Sequence, residues 1–334
     1  MLRYKMRKHV VFTFLFLLLL SGCSKDVAIS EGVVHQFEIE PLLMGQISDD
    51  GRLLLTVNTS EQVKVWRTAS KQVEYQVPEK ELLKPVRHAL LSRDNTLLLM
   101  ANYDTLGVWS VAGKAFIHKV QFSGVDPMAV ISHIALSPNN GRVLVAMTDG
   151  SLNMADMNTR LNNRFKPHER PIDFLSFGNQ GELFLTGAQD GKVALWQFGS
   201  PKAMFEKEFA HRVTSLSVNK DFSRFFVSDG LNAQHIKTLT QGEEVAKLNY
   251  SARFKVFRKS LFISNADLLA TSSSKSHLTL WHTNTGDELG TWTIQTQREG
   301  ATILSMHATQ TGTLYTLNSD AILESWDLSA LRQL

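Results

Sequence analysis

The sequence predicts an all-β chain folded as a seven-bladed β-propeller, its circle closed by an N-terminal strand. Three observations carry that expectation. First, a short apolar strand ending in tryptophan recurs about every 43 residues: VKVW at Trp66, LGVW at Trp109, VALW at Trp196, LTLW at Trp281 and LESW at Trp326. Two further copies have lost the indole: LNMADM at 152–157 puts Ala155 in the tryptophan place, and HIKTLTQG at 235–242 puts Lys237 there. A repeat of that length signals blade-by-blade construction. Second, polar turns rich in Gly, Asn and Asp separate β-branched and aromatic runs at spacings of roughly 8–12 residues. Third, only eight residues follow Trp326, while Val33-Val34-His35-Gln36-Phe37-Glu38-Ile39 alternates in character and belongs to no unit. That segment is expected to supply the last strand of blade seven and so remove an exposed edge.

Unit four shows the plan of the repeat. Ile172 to Phe177 reads as an innermost strand, Asn179-Gln180-Gly181 as its turn, and Leu183 to Thr186 as part of the second strand. Asp190-Gly191 is a tight hairpin turn, followed by Val193 to Trp196 and an outer strand over Ala203 to Phe209. Units three and five, without the tryptophan, are expected to be the weakest, because a buried indole removes a large apolar area from water.

The units resemble WD repeats, and the resemblance covers nearly all of the chain beyond the N-terminal segment. Trp326-Asp327 is a literal WD pair; the turn aspartate recurs as Asp149, Asp190 and Asp229 before Gly, and as Asp104 and Asp320 without it. His168 and His211 stand just before the innermost strands of units four and five. The resemblance implies a buried hydrogen-bonded set of His, Ser/Thr, Asp and Trp in each blade. Unit four alone offers all four members, as His168, Thr186, Asp190 and Trp196.

The first residues read as an address. Arg3, Lys5, Arg7 and Lys8 precede an apolar run from Val10 to Leu20, which is too short to span a bilayer, and the run ends in Leu20-Ser21-Gly22-Cys23. This resembles a bacterial lipobox, which implies a signal peptide over 1–22 and a diacylated cysteine, with a linker over 23–30 and a single propeller over 31–334. Cys23 is the only cysteine, so no internal disulfide is possible. Ser24, in place of Asp, favours the periplasmic face of the outer membrane over the inner membrane. Without the segment the chain carries 31 Lys and Arg against 32 Asp and Glu, which gives no reason to expect nucleic acid.

No Gly-rich phosphate loop, GxSxG elbow, HExxH or CxxC stands in the sequence, and the eleven histidines show no ligand spacing. No metal, cofactor or catalytic residue is expected. The basic, aromatic linker between units five and six, with Tyr250, Arg253, Phe254, Phe257 and Arg258, is a candidate partner surface for an anionic protein. The alternative there is that its aromatics are core. The expected function is a monomeric, non-catalytic, lipid-anchored periplasmic scaffold tethered through Cys23. One alternative is an accessory of envelope assembly: Thr285-Gly286-Asp287-Glu288-Leu289-Gly290-Thr291-Trp292 is similar to the docking motif of quinoprotein propellers and of the barrel-assembly lipoprotein built like them. The other is an enzymatic or ligand-binding propeller.

Overall fold

Alternating apolar runs joined by turns of two to six residues fold as antiparallel meanders, because each strand pairs with the next at once. The computed structural model describes residues 29–231, 233–250, 256–263, 267–274 and 276–333. The Cys23 segment, Arg253 and Phe254 therefore lie outside the described residues. The strand β1 (Ser30–Gln36) comes first. Blade one comprises β2 (Leu42–Ile47), β3 (Leu53–Asn58), β4 (Val63–Arg67) and β5 (Val73–Gln76). Blade two comprises β6 (His88–Leu91), β7 (Leu97–Ala101), β8 (Thr105–Ser110) and β9 (Ala115–Gln121). Blade three comprises β10 (Ile131–Leu136), β11 (Arg142–Met147), β12 (Leu152–Asp156) and β13 (Asn162–Phe165). Blade four comprises β14 (Ile172–Phe177), β15 (Leu183–Ala188), β16 (Lys192–Gln197) and β17 (Ala203–Glu208). Blade five comprises β18 (Val213–Val218), β19 (Arg224–Asp229), β20 (Gln234–Thr238) and β21 (Glu244–Lys247). Blade six comprises β22 (Phe257–Ile263), β23 (Leu268–Ser273), β24 (His277–His282) and β25 (Glu288–Thr293). Blade seven holds β26 (Ile303–Ala308), β27 (Thr313–Asn318) and β28 (Ile322–Asp327), with β1 as its outermost strand.

The seven four-stranded sheets make a seven-bladed β-propeller. β1 runs antiparallel to β28, with Glu31 opposite Trp326 and Gln36 opposite Ile322. The strand begins and ends about three residues earlier than the sequence pattern suggests, because a bulge between Glu31 and Val34 resets its register. Gly32 sits in that bulge, where a Cβ would lie 2.5 Å from Ser325 Oγ, and the Val33 N–H donates to the same Oγ at 2.8 Å. Among the described residues no helix is long and apolar enough to cross a membrane.

The core lies between blades. The second and third strands are buried on both faces, as in β3 and β15, while outer strands such as β9 are exposed along most of their length. Trp109 of blade two packs on Val63 and Val65 of blade one, and Trp196 of blade four packs on Leu144 and Met154 of blade three. Each tryptophan is thus a wedge into the preceding blade.

Candidate functional site

The tryptophan places share one register. Trp66 pairs with Leu54, Trp109 with Leu98, Ala155 with Val143, Trp196 with Phe184, Lys237 with Phe225, Trp281 with Leu269, and Trp326 with Leu314. Two residues along the second strand, four blades carry a threonine, and the indole N–H donates to it: Trp66 to Thr56 at 2.9 Å, Trp196 to Thr186 at 3.0 Å, Trp281 to Thr271 at 2.8 Å and Trp326 to Thr316 at 3.0 Å. The signal in the sequence is a threonine ten residues before the tryptophan, present without the histidine of a complete four-residue set in blades one, six and seven. In blade two the place is Met100, and the Trp109 N–H is buried without a partner among the described residues.

Blade four brings His168, Thr186, Asp190 and Trp196 together. His168 is buried, with Nε2 2.8 Å from Thr186 Oγ1 and Nδ1 3.1 Å from an Asp190 oxygen. Asp190 also accepts the Glu169 and Lys192 N–H groups. Burial pushes its carboxyl up, but these hydrogen bonds, that from His168 foremost, outweigh burial and hold it below the usual carboxylate range. The set pins a hairpin turn to the loop that enters the blade. Blade one builds a counterpart from a different residue. Glu38 is buried, accepts hydrogen bonds from Thr56 and from Asn58 Nδ2 (2.9 Å), and meets Lys64 Nζ at 3.1 Å. Asp149 and Asp320 repeat the turn-to-loop tie through the N–H groups of Asp126 and Gln297. These polar sets hold the scaffold and leave its axial ends for binding.

At the end of the channel where the chain enters the innermost strands, blades two, four, five and six each carry an exposed arginine. Arg87 precedes β6, Arg170 precedes β14, Arg212 precedes β18, and Arg258 is the second residue of β22. None forms an ion pair among the described residues. Arg87 lies over the Tyr103 ring at 5.6 Å. Asp173 stands among them; burial raises its pKa despite a hydrogen bond from Gln189 and the nearby charge of Arg212. Inside the channel the rings of His88 and His133 meet edge to face at 6.1 Å. His133 is pushed down to about 3 by burial and then by the neighbouring His88 and Lys259. Lys259, on the innermost strand of blade six, touches channel solvent yet is surrounded by protein, and burial lowers its pKa. The opposite end differs. There a cavity of about 510 Å³ is lined by Asp49, Asp50, Arg93, Lys220 and His307, and Arg93 already pairs with Asp49 at 3.4 Å.

The linker expected to form a partner surface divides. Phe257 is not a surface residue: it is fully buried, edge-on to Phe226 at 5.9 Å and to Trp281 at 6.0 Å. The physical reason is its place at the start of an innermost strand, a core position filled elsewhere by Ile131, Ile172, Val213 and Ile303. Tyr250 is half-buried against the same rings. Arg258 points to solvent. Of the other basic loop residues, His168 is consumed by blade four and Arg298 pairs with Asp320. Among the described residues no group of three or more His, Cys, Asp or Glu side chains is arranged to hold a metal.

The fold is a seven-bladed propeller, and residues 159–197 match the family described as "WD domain, G-beta repeat". That stretch ends at Gln197, one residue past Trp196, and contains the full blade-four set. Relatives include the ribosome biogenesis protein WDR12 homolog of Anopheles gambiae, 26% identical over 41% of this chain and 32% of its own length. The rat transducin beta-like protein 3 is 26% identical over 47% of this chain and 20% of its own. The rat telomerase protein component 1 is 24% identical over 70% of this chain and 9% of its own. The chain thus spans less than a third of the length of these relatives.

These animal relatives, with ribosome-biogenesis names recurring among them, overturn the expectation of a Gram-negative envelope lipoprotein. The periplasmic scaffold, the outer-membrane address, the tether through Cys23, the envelope-assembly alternative and the exclusion of nucleic acid are withdrawn. That expectation rested on a short N-terminal pattern outside the described residues, whereas the family match at residues 159–197 lies in blades three and four.

Proposed function

We propose that this protein is a non-catalytic docking platform that holds an anionic macromolecular partner during the building of a larger assembly. The names of the relatives, ribosome biogenesis among them, suggest the setting, a ribonucleoprotein particle under construction. The observation that carries the reading is the axial mouth, where Arg87, Arg170, Arg212 and Arg258 stand exposed and form no ion pair among the described residues, whereas Arg93 at the opposite mouth pairs with Asp49. Uncompensated arginines steer and hold acidic or phosphate-bearing surfaces, through forked hydrogen bonds and counterion release. The rigid circle of blades supplies the preorganisation that a broad, polar interface needs.

The test is affinity purification of the tagged chain from its native cells, beside a variant with Arg87→Glu, Arg170→Glu and Arg212→Glu. The platform reading expects a defined partner with the parent chain, eluting as salt rises, and its loss from the variant. An identical partner set for both chains contradicts it.

A further inference from the structure

Blade three lacks both members of the tie that recurs in four other blades. Ala155 stands where the indole would be, and Val145 stands where Thr186 stands in blade four. The paired loss leaves a groove of about 350 Å³ between blades two and three. Its floor is Leu106, Val108, Phe122 and Val143, each at most 5% exposed. In blade five the corresponding space is closed: Lys237 is buried, and a Cβ on Gly242 would strike the Phe205 ring at 2.3 Å. Blade three also lacks the register shift that the outer strand makes beside the tryptophan place in blade four, so β13 runs straight past Ala155.

The rim of the groove has a defined chemistry. Val120 and Leu161 are exposed at 48% and 66%. Arg160 and the His118 ring border it, and Arg160 forms no ion pair among the described residues. The one lining carboxylate, Asp156, is spent on its own turn, accepting the Asn158 N–H at 2.9 Å and the Thr159 N–H at 2.8 Å. Those hydrogen bonds hold Asp156 within its own turn, and the exposed Arg160 guanidinium is left to meet an incoming carboxylate. With Val145 in place of threonine, the floor offers no acceptor for an indole N–H, so a phenyl ring fits better than an indole.

We propose that this groove is a socket for a phenylalanine-type side chain carried on an acidic segment of a partner protein. The proposal rests on the platform reading and names a second contact, on the outer side of blades two and three. A ring filling the gap restores the contacts an indole makes in other blades, and flanking carboxylates meet Arg160 and His118.

Methyl NMR of the full chain tests it with three peptides: acetyl-Glu-Phe-Glu-amide, acetyl-Lys-Phe-Lys-amide and acetyl-Glu-Ala-Glu-amide. The expected result is shifts at Val108, Val143, Ala155 and Leu161 with the first peptide only, in the millimolar range. Arg160→Gln should weaken binding by about fivefold, and Ala155→Trp should abolish it while leaving the melting temperature no lower. Ala155→Met, a partial filling, should weaken binding if the tryptophan variant does not fold. No shifts up to about 10 mM, equal binding of the lysine peptide, binding that survives in folded Ala155→Trp, or tighter binding of free 4-phenylbutyrate would each overturn it. The peptides report on the socket alone, so a failed axial interaction and a failed socket give different results.

Discussion

Single side chains in this propeller are legible as matched or orphaned hydrogen-bond partners. The Trp196 N–H has Thr186, and the Trp109 N–H has nothing among the described residues. A buried orphan donor costs about 1–3 kcal/mol, whereas a satisfied one contributes about 1 kcal/mol net. Trp109→Phe is thus expected to destabilise less than Trp196→Phe, by about 1–3 kcal/mol, as chemical denaturation would show. Equal losses would place the stabilisation in packing alone. Glu324 supplies a pH-dependent counterpart. It is fully buried, accepts the Gln295 N–H at 2.8 Å, and its second oxygen has no partner among the described residues. Burial pushes its pKa up to about 7, against the Gln295 hydrogen bond and with help from Glu31. In the unfolded chain it titrates near 4.3, so the folded state binds the extra proton between the two values. Its contribution is complete below about 4.3 and is lost as pH rises through about 7. Glu324→Gln should remove that loss, gaining on the order of 1–3 kcal/mol relative to the parent at pH 8 but not at pH 4. A gain independent of pH would contradict this assignment.

Strands repeat with a register that the sequence shows more plainly than it shows the roles of individual residues. The seven tryptophan places fall opposite equivalent partners even where Ala155 and Lys237 replace the ring, because period-2 alternation admits no one-residue slip without turning the core outward. The unit-four strands lie within a residue or two of their expected limits for the same reason. What was not legible depends on bulges and on unlike residues in like places. The bulge in β1 moved the closing strand, Glu38 does in blade one what a histidine does in blade four, and Phe257 sits beside charged neighbours that face the other way. β1 also carries a testable load. Without residues 30–36 the outer edge of β28 lies bare, and bare edges pair with other chains. The deletion variant should aggregate or melt well below the parent in light scattering and circular dichroism, and an unchanged melt would show that β28 needs no cover.

At the scale of the molecule, the ends of the channel differ in how their arginines are paired, and the end with unpaired arginines is the proposed working face. Asp49 and Arg93 neutralise each other at one mouth, while the other presents Arg87, Arg170, Arg212 and Arg258 above His88, His133 and Lys259. Arginines at the starts of four innermost strands are separated by tens of residues in the chain, so only the circular fold reveals that they share one end of the channel. Interfaces of this kind owe their rate and salt dependence to the summed field more than to any single pair. Site-specific photo-crosslinking in native cells measures this most directly, with the photoreactive residue at position 87, 170 or 212 and a control at 204 on outer strand β17. A shared anionic partner, protein or nucleic acid, is expected from the three mouth positions, absent at 204 and fading as salt rises. Equal crosslinking from position 204, or a partner that persists at the mouth in high salt, would contradict it.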